Sequence, residues 1–212
     1  MSSLAKISHS FKRYWPLALL LLVMALTGCD DQSLTQQTTK PAPAPPQVSQ
    51  PPAPAAAETH TALDYDIYFS PRGGCTDAIV KAIDSAKQTV RIQAYSFTSA
   101  RIAKALLDAR KKGVDVQVIL DKSQVTQQYS SADFLHNSDI PVFIDRAHAI
   151  AHNKVIVIDQ KTVITGSFNF TKAAEERNAE NLLVIRDGNL ASRYTQNWEE
   201  HLAHSEPYQG RN

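Results

Sequence analysis

The chain has 212 residues, 43% of them hydrophobic and 20% charged; that is enough apolar material for one ordinary domain and excludes a disordered polypeptide. Lysine and arginine number 22 against 21 acidic residues, but three of the basic residues (Lys6, Lys12, Arg13) precede the first cysteine, and without them 19 face 21, a net charge of −2. Bulk charge therefore gives no support to a nucleic-acid partner, and such a partner must be argued from a local site. Two cysteines, Cys29 and Cys75, make no disulfide framework, so the core must hold the fold uncrosslinked.

Residues 1–28 read as a secretory signal. The basic residues Lys6, Lys12 and Arg13 precede an apolar run from Leu17 to Leu26, which is too short to span a hydrocarbon core of roughly 20 residues. The run ends in Leu26-Thr27-Gly28-Cys29, which resembles a bacterial lipoprotein box. That resemblance implies cleavage before Cys29, acylation of Cys29 and a membrane partner through its acyl chains. Asp30 next to it resembles an inner-membrane retention signal and implies the periplasmic face of the inner membrane of a Gram-negative bacterium. Residues 29–61 then form a linker. Its Pro41–Ala57 stretch holds seven prolines and no charge, and a polyproline-like conformation would extend it to about 50 Å.

The domain is expected over residues 62–208, with 209–212 as a tail. Asp66–Phe69 predicts a short strand; Thr76–Lys87 a helix with Ala78, Ile79, Ala82, Ile83 and Ala86 on one face; Thr89–Phe97 an alternating strand. Ser99–Lys112 predicts an amphipathic helix that Gly113 ends, followed by a strand over Val114–Leu120, a short helix over Ser131–Asn137 and a strand over Val142–Ile144. Lys154–Ile158 and Thr162–Thr165 flank an Asp159-Gln160-Lys161 turn and predict a hairpin; Asn181–Arg186 predicts a strand and Leu190–Ala203 a closing helix. This order implies an α/β fold: a mixed, largely parallel sheet flanked by helices on both faces.

The chemistry-bearing run begins at His152-Asn153-Lys154 and, after four apolar residues, reaches Asp159, an H-x-K-x4-D pattern. Gly166-Ser167-Phe168-Asn169 and Arg177-Asn178-Ala179-Glu180-Asn181 follow. Together with Gln93–Ser99 and Val118–Gln124, the run resembles the phospholipase D superfamily, and most of all its small bacterial endonucleases with one motif per chain (Nuc type). The resemblance implies a phosphodiesterase working without metal or other cofactor through a phosphohistidine.

The residue types suit that chemistry. Strand alternation would put His152 and Lys154 on one face, roughly 6–7 Å apart. His152 can act as the nucleophile, while Lys154, Asn169 and Ser167 supply charge and donors where negative charge accumulates. Glu180 would accept a hydrogen bond from the other imidazole nitrogen of His152 and fix its tautomer. Asp159, on the opposite pleat, is expected to brace the hairpin without touching substrate.

A phosphohistidine cannot also protonate the leaving group, so a second histidine is required. His60, His136, His148, His201 and His204 all lack the following lysine, and a homodimer bringing two copies of His152 and Lys154 to one phosphate supplies the need. Metal ligation is not expected: His148 and His152 would lie roughly 13 Å apart in a strand, with no cysteine or carboxylate cluster to complete a site. Cys75 is expected to be a partly buried small residue, with an intersubunit disulfide left open. Tyr95 and Phe97 can stack on bases or pack in the core. Lys172 and Arg177 are candidates for holding a nucleic-acid backbone. The substrate expected is nucleic acid, DNA or RNA; the alternatives are a phospholipase D-type lipid phosphodiesterase and a non-enzymatic periplasmic component of a conjugation or secretion apparatus.

Overall fold

In the computed structural model, residues 62–211 are described; the expected signal, Cys29, the proline-rich linker and His60 lie outside the described residues. The chain runs β1 (Asp64–Ser70), α1 (Cys75–Ser85), β2 (Thr89–Ala94), α2 (Ala100–Lys111), β3 (Asp115–Asp121), a 3-10 turn over Lys122–Val125, α3 (Ala132–His136), β4 (Val142–Asp145), β5 (Lys154–Ile158), β6 (Thr162–Gly166), α4 (Lys172–Glu176), β7 (Glu180–Arg186), α5 (Gly188–His204) and β8 (Glu206–Pro207). Each element expected in the domain is present, with ends displaced by a few residues; the 3-10 turn, α4 and β8 were not anticipated. Ser99 caps α2 through its side chain, and Gly113 takes the left-handed φ of 88° that ends it.

The strands form one sheet in the order β1-β7-β6-β5-β2-β3-β4-β8. The sheet is mixed, as expected, but "largely parallel" is corrected. Only β2–β3 and β3–β4 are parallel pairs, whereas β1–β7, β7–β6, β6–β5, β5–β2 and β4–β8 are antiparallel. The parallel pairs are the ones whose crossovers contain a helix, α2 and α3, that returns the chain to its starting end. The third apparent crossover, β1-α1-β2, does not pair its strands, because β5, β6 and β7 insert between them.

Both faces are covered. Val90, Ile92 and Ala94 of β2, Val116, Val118 and Leu120 of β3, and Ile156 and Ile158 of β5 pack with Ile79 and Ile83 of α1, Ile102 and Leu106 of α2 and the aromatic set Phe97, Phe168 and Phe170. On the other face Val155, Val157 and Val163 meet Leu190, Ala191 and Tyr194 of α5. Coverage on both faces is why β5 is an unbroken apolar run after Lys154, with all five of its residues buried. Helix α5 is fixed by the Trp198 indole N–H, which donates to Ile92 O at 3.0 Å, and by the Arg91 guanidinium 5.3 Å above the indole.

Cys75 opens α1 and is fully buried. Burial, and then the negative charge of Glu175, push its thiol up to about 11. The residue is thus more enclosed than the partly buried position expected. Native protein should resist a thiol reagent at pH 8 over hours while denatured protein reacts at once; rapid native labelling would contradict this burial.

Candidate active site

One end of the central strands collects the residues singled out by the sequence. The antiparallel order brings the start of β5, the end of β6 and the start of β7 to the same end, next to the end of β2. His152 precedes β5 and is exposed. Its imidazole lies against Tyr95, ring centroids 4.6 Å apart and planes inclined by 50°, and the Tyr95 N–H donates to Asn153 O at 2.8 Å. Tyr95 therefore bears on the histidine directly, while Phe97 is fully buried in the core.

Lys154 is the first residue of β5 and only 8% exposed. Its ammonium donates to His152 O at 2.8 Å and lies 5.1 Å from the Tyr95 ring centroid. Burial lowers its pKa below that of an ordinary lysine, and the charge of Glu180 works in the opposite direction. A cation this enclosed is poised to pair with an arriving anion.

Ser167 and Asn169 follow β6. The Ser167 hydroxyl oxygen accepts from Asn181 N–H at 3.0 Å and its own N–H donates to Asn181 O at 3.1 Å, so Ser167 ties β6 to β7 and keeps its hydroxyl proton to donate. Gly166, φ 146°, makes that tie possible: a Cβ there would stand 2.3 Å from Asn181 O. Asn169 Oδ1 is buried and has no hydrogen-bond partner. An orphaned buried acceptor at this end of the strands is the kind of group that a ligand or a neighbouring copy satisfies.

Glu180 begins β7 and accepts from Asn178 Nδ2 at 3.0 Å. The hydrogen bond expected from His152 is not among those of the described residues; the carboxylate acts on Lys154 at Coulomb range instead. Asn178, which orients Glu180, escaped the sequence reading because only its spacing of two residues from Glu180 marks it.

Asp159 stands away from this end, at the β5–β6 turn, with φ 52°. Its carboxylate accepts the N–H groups of Lys87, Gln88 and Thr89 at 2.9, 2.8 and 2.9 Å. It thus braces the turn against the start of β2 as well as closing a hairpin. Burial raises its pKa, but the three N–H donors prevail and hold it below the usual carboxylate range. Asp159→Ala should therefore lower stability by about 1–3 kcal/mol, a fall in melting midpoint of about 3–10 °C, with kcat per folded molecule unchanged. Because the folded pKa is depressed, this contribution is complete above the ordinary aspartate range and is lost as the pH falls through the folded value. Thermal melts of both proteins across acid pH would show the gap closing; a constant gap would refute the assignment.

Lys172 and Arg177 bracket α4 and are exposed. Lys172 Nζ is 3.6 Å from Glu176 Oε1, a solvent-facing pair that leaves the lysine free to exchange partners. The other described histidines do not join His152. His136 packs edge-on to Tyr208 at 5.7 Å, whereas His148, His201 and His204 all approach Asp145. The expectation that His148 lacks metal-type partners is corrected: residues 146–153 form an irregular connection and no strand, and the partners come from α5. Asp121 was likewise missed as a positioning residue. It is buried at the end of β3 and accepts Ala151 N–H at 2.8 Å, fixing the segment that delivers His152.

Comparison with known proteins places the fold in a family. A family model described as "Cardiolipin synthase, PLD-like domain" matches residues 79–202. A protein named phospholipase D from Rickettsia bellii is 49% identical over 130 residues, covering 61% of this chain; the match spans 65% of the length of that relative. A mitochondrial cardiolipin hydrolase from Chlamydomonas reinhardtii is 32% identical over 117 residues, covering 55% of this chain and 52% of the hydrolase. Among solved structures, the crystal structure of Nuc from Salmonella typhimurium, a phospholipase D family member, superposes with a TM-score of 0.67 at 41% identity, covering 70% of this chain and 99% of Nuc.

Proposed function

The chain belongs to the phospholipase D superfamily, and from that premise we propose that it is a phosphodiesterase in which His152 is the nucleophile, acting as a nonspecific endonuclease on DNA or RNA. The observation that carries the reading is the pairing, at one end of the central strands, of an exposed imidazole, His152, with a buried ammonium, Lys154, whose NH3+ lies on His152 O and within Coulomb range of the Glu180 carboxylate. A ring nitrogen of His152 attacks phosphorus, Lys154 offsets the charge on the non-bridging oxygens, and the P–O bond to the leaving alkoxide breaks. The alkoxide takes its proton from the imidazolium of a second His152. Water then attacks the phosphohistidine, gives its proton back to that second imidazole, and frees the first.

No second histidine of the described chain lies at His152, so we assign the acid to a second copy of the protein: the active species is a homodimer with one shared site. Nucleic acid is favoured by the exposure of His152 and by α4, which follows Asn169 and whose ends present Lys172 and Arg177 to solvent. A lipid phosphodiester is the second reading, favoured by the names of the Rickettsia and Chlamydomonas relatives and by the expected acyl anchor at Cys29. Plasmid nicking in EDTA, run well below the melting midpoint and beside phospholipid vesicles assayed for headgroup release, separates the two. Nicking without lipid turnover supports the endonuclease; lipid turnover without nicking replaces it; loss of nicking in EDTA with the melting midpoint unchanged overturns the metal-free mechanism. We place the protein on the periplasmic face of the inner membrane, and acyl labelling that vanishes in Cys29→Ser checks the anchor.

A further inference from the structure

We propose that Asp145, His148, His201 and His204 form a closed four-ligand site for a divalent transition metal of the Zn2+ class. One carboxylate oxygen and one nitrogen from each imidazole all lie within 4.8 Å of one another. Tetrahedral bonds of about 2.0–2.1 Å set ligand atoms about 3.3 Å apart, so side-chain shifts of the order of 1 Å close the site.

Two short arms make it. Asp145 ends β4 and His148 follows three residues later; His201 and His204 stand three apart on α5, one turn apart on a single helix face. Val142 and Ile144 point into the main core, so Asp145 points to the opposite face, which α5 covers. The site is half enclosed: the Asp145 side chain is 0% exposed and that of His201 15%, while His204 and His148, at 36% and 47%, form its solvent-facing rim. Asp145 Oδ1 is already oriented by Ala147 N–H at 3.0 Å, the support a metal-ligating carboxylate needs.

The arrangement is poorly explained without a cation. His148 Nδ1, His201 Nδ1 and His204 Nε2 converge on one oxygen, Asp145 Oδ2, at 2.9, 2.8 and 3.3 Å, with His148 Nδ1 also 3.2 Å from Oδ1, so three imidazoles crowd a carboxylate that already accepts Ala147 N–H. The three rings are also mutually crowded, with centroids 4.9, 5.1 and 5.2 Å apart, and full protonation would set three positive charges in contact. A central divalent ion takes one lone pair from each imidazole and one from the carboxylate and removes both difficulties. Three nitrogens and one oxygen suit Zn2+, Co2+ or Cu2+ and disfavour Mg2+ or Ca2+.

This site is not the chemical centre. β4 lies three strands from β5, about 14 Å at ordinary interstrand spacing, and Asp145 faces the other side of the sheet. It binds the end of α5 to the connection between β4 and β5. That connection is further held by Lys122 Nζ on His148 O at 2.9 Å, and it ends at His152. The metal is therefore a structural clamp on the segment that delivers the nucleophile.

Protein made without a histidine tag, stripped with chelator and titrated with Co2+, should bind one ion per chain with the intense visible bands of tetrahedral coordination, and Zn2+ should displace it. Zn2+ should also raise the melting midpoint of the stripped protein. The double variant His201→Ala, His204→Ala should lose both effects, while His136→Asn, on α3, keeps them. Should the double variant not fold, His148→Asn at the exposed rim of the cluster decides, with an affinity loss of at least about tenfold expected. Octahedral Co2+ only, binding equal in wild type and His148→Asn, or no binding by the wild type would overturn the proposal and leave a metal-free histidine–aspartate cluster.

Discussion

Replacing His152 by alanine should lower phosphodiester cleavage by at least about 10^4-fold and leave the fold intact. The side chain is exposed and its ring touches Tyr95, so the change in stability should stay within about 1 kcal/mol. In the proposed shared site the loss is large because one substitution removes both the nucleophile and the acid. That also gives a sharper test. When wild-type and His152→Ala subunits are mixed in equal amounts and allowed to exchange, only wild-type homodimers retain two histidines, so activity should fall to about one quarter of that of the same total protein as wild type. Independent sites would leave about one half, an outcome that excludes the shared site.

Lys154→Met should lower kcat/KM by about 10^2–10^3-fold, the range for loss of one pre-organised charge-stabilising donor. Unlike most buried substitutions it should not destabilise the protein. Wild type buries an ammonium whose one hydrogen bond among the described residues is to His152 O, and a methionine of similar length removes that desolvated charge. The pH dependence carries a sign. Because burial lowers the pKa of Lys154, the alkaline limb of kcat/KM should fall below the ordinary lysine range of about 10.4, and Lys154→Arg should abolish that limb. In wild type the folded state sheds this proton before the unfolded chain does, so stability should rise as the pH climbs through the depressed value; the methionine variant should lack that rise. A Met variant with full activity, or a limb at the ordinary lysine value, would remove Lys154 from the mechanism.

Local pattern made much of the fold legible before any coordinates. The period of apolar residues marks α1, α2 and α5, and the unbroken run after Lys154 marks a strand buried on both faces. Ser99 and Gly113 announce the two ends of α2. These signals lie within one turn or one strand, where the chain itself sets the distance. The placement of Asp159 at a turn was readable for the same reason; its hydrogen bonds to Lys87, Gln88 and Thr89 were not, because those groups lie about 70 residues away. Glu175 shows the same limit. Gly74 offers α1 no capping side chain, and the free N–H groups of Gly74 and Thr76 are met at 3.2 and 2.7 Å by Glu175 of α4, which lies 101 and 99 residues away along the chain.

By itself, then, the sequence determined which segments are helix or strand and singled out the residues proposed to carry chemistry, since residue type and short-range periodicity are local properties. Tertiary structure alone decided the neighbours. Alternation says which face of a strand a side chain occupies but not which strand lies beside it, so the insertion of β5, β6 and β7 between β1 and β2, and with it the antiparallel majority of the sheet, had no local signature. The same insertion brings His152, Lys154, Asn169 and Glu180 to one end of the strands. The long return of α5 across the opposite face is what carries His201 and His204 to Asp145, 56 residues back along the chain.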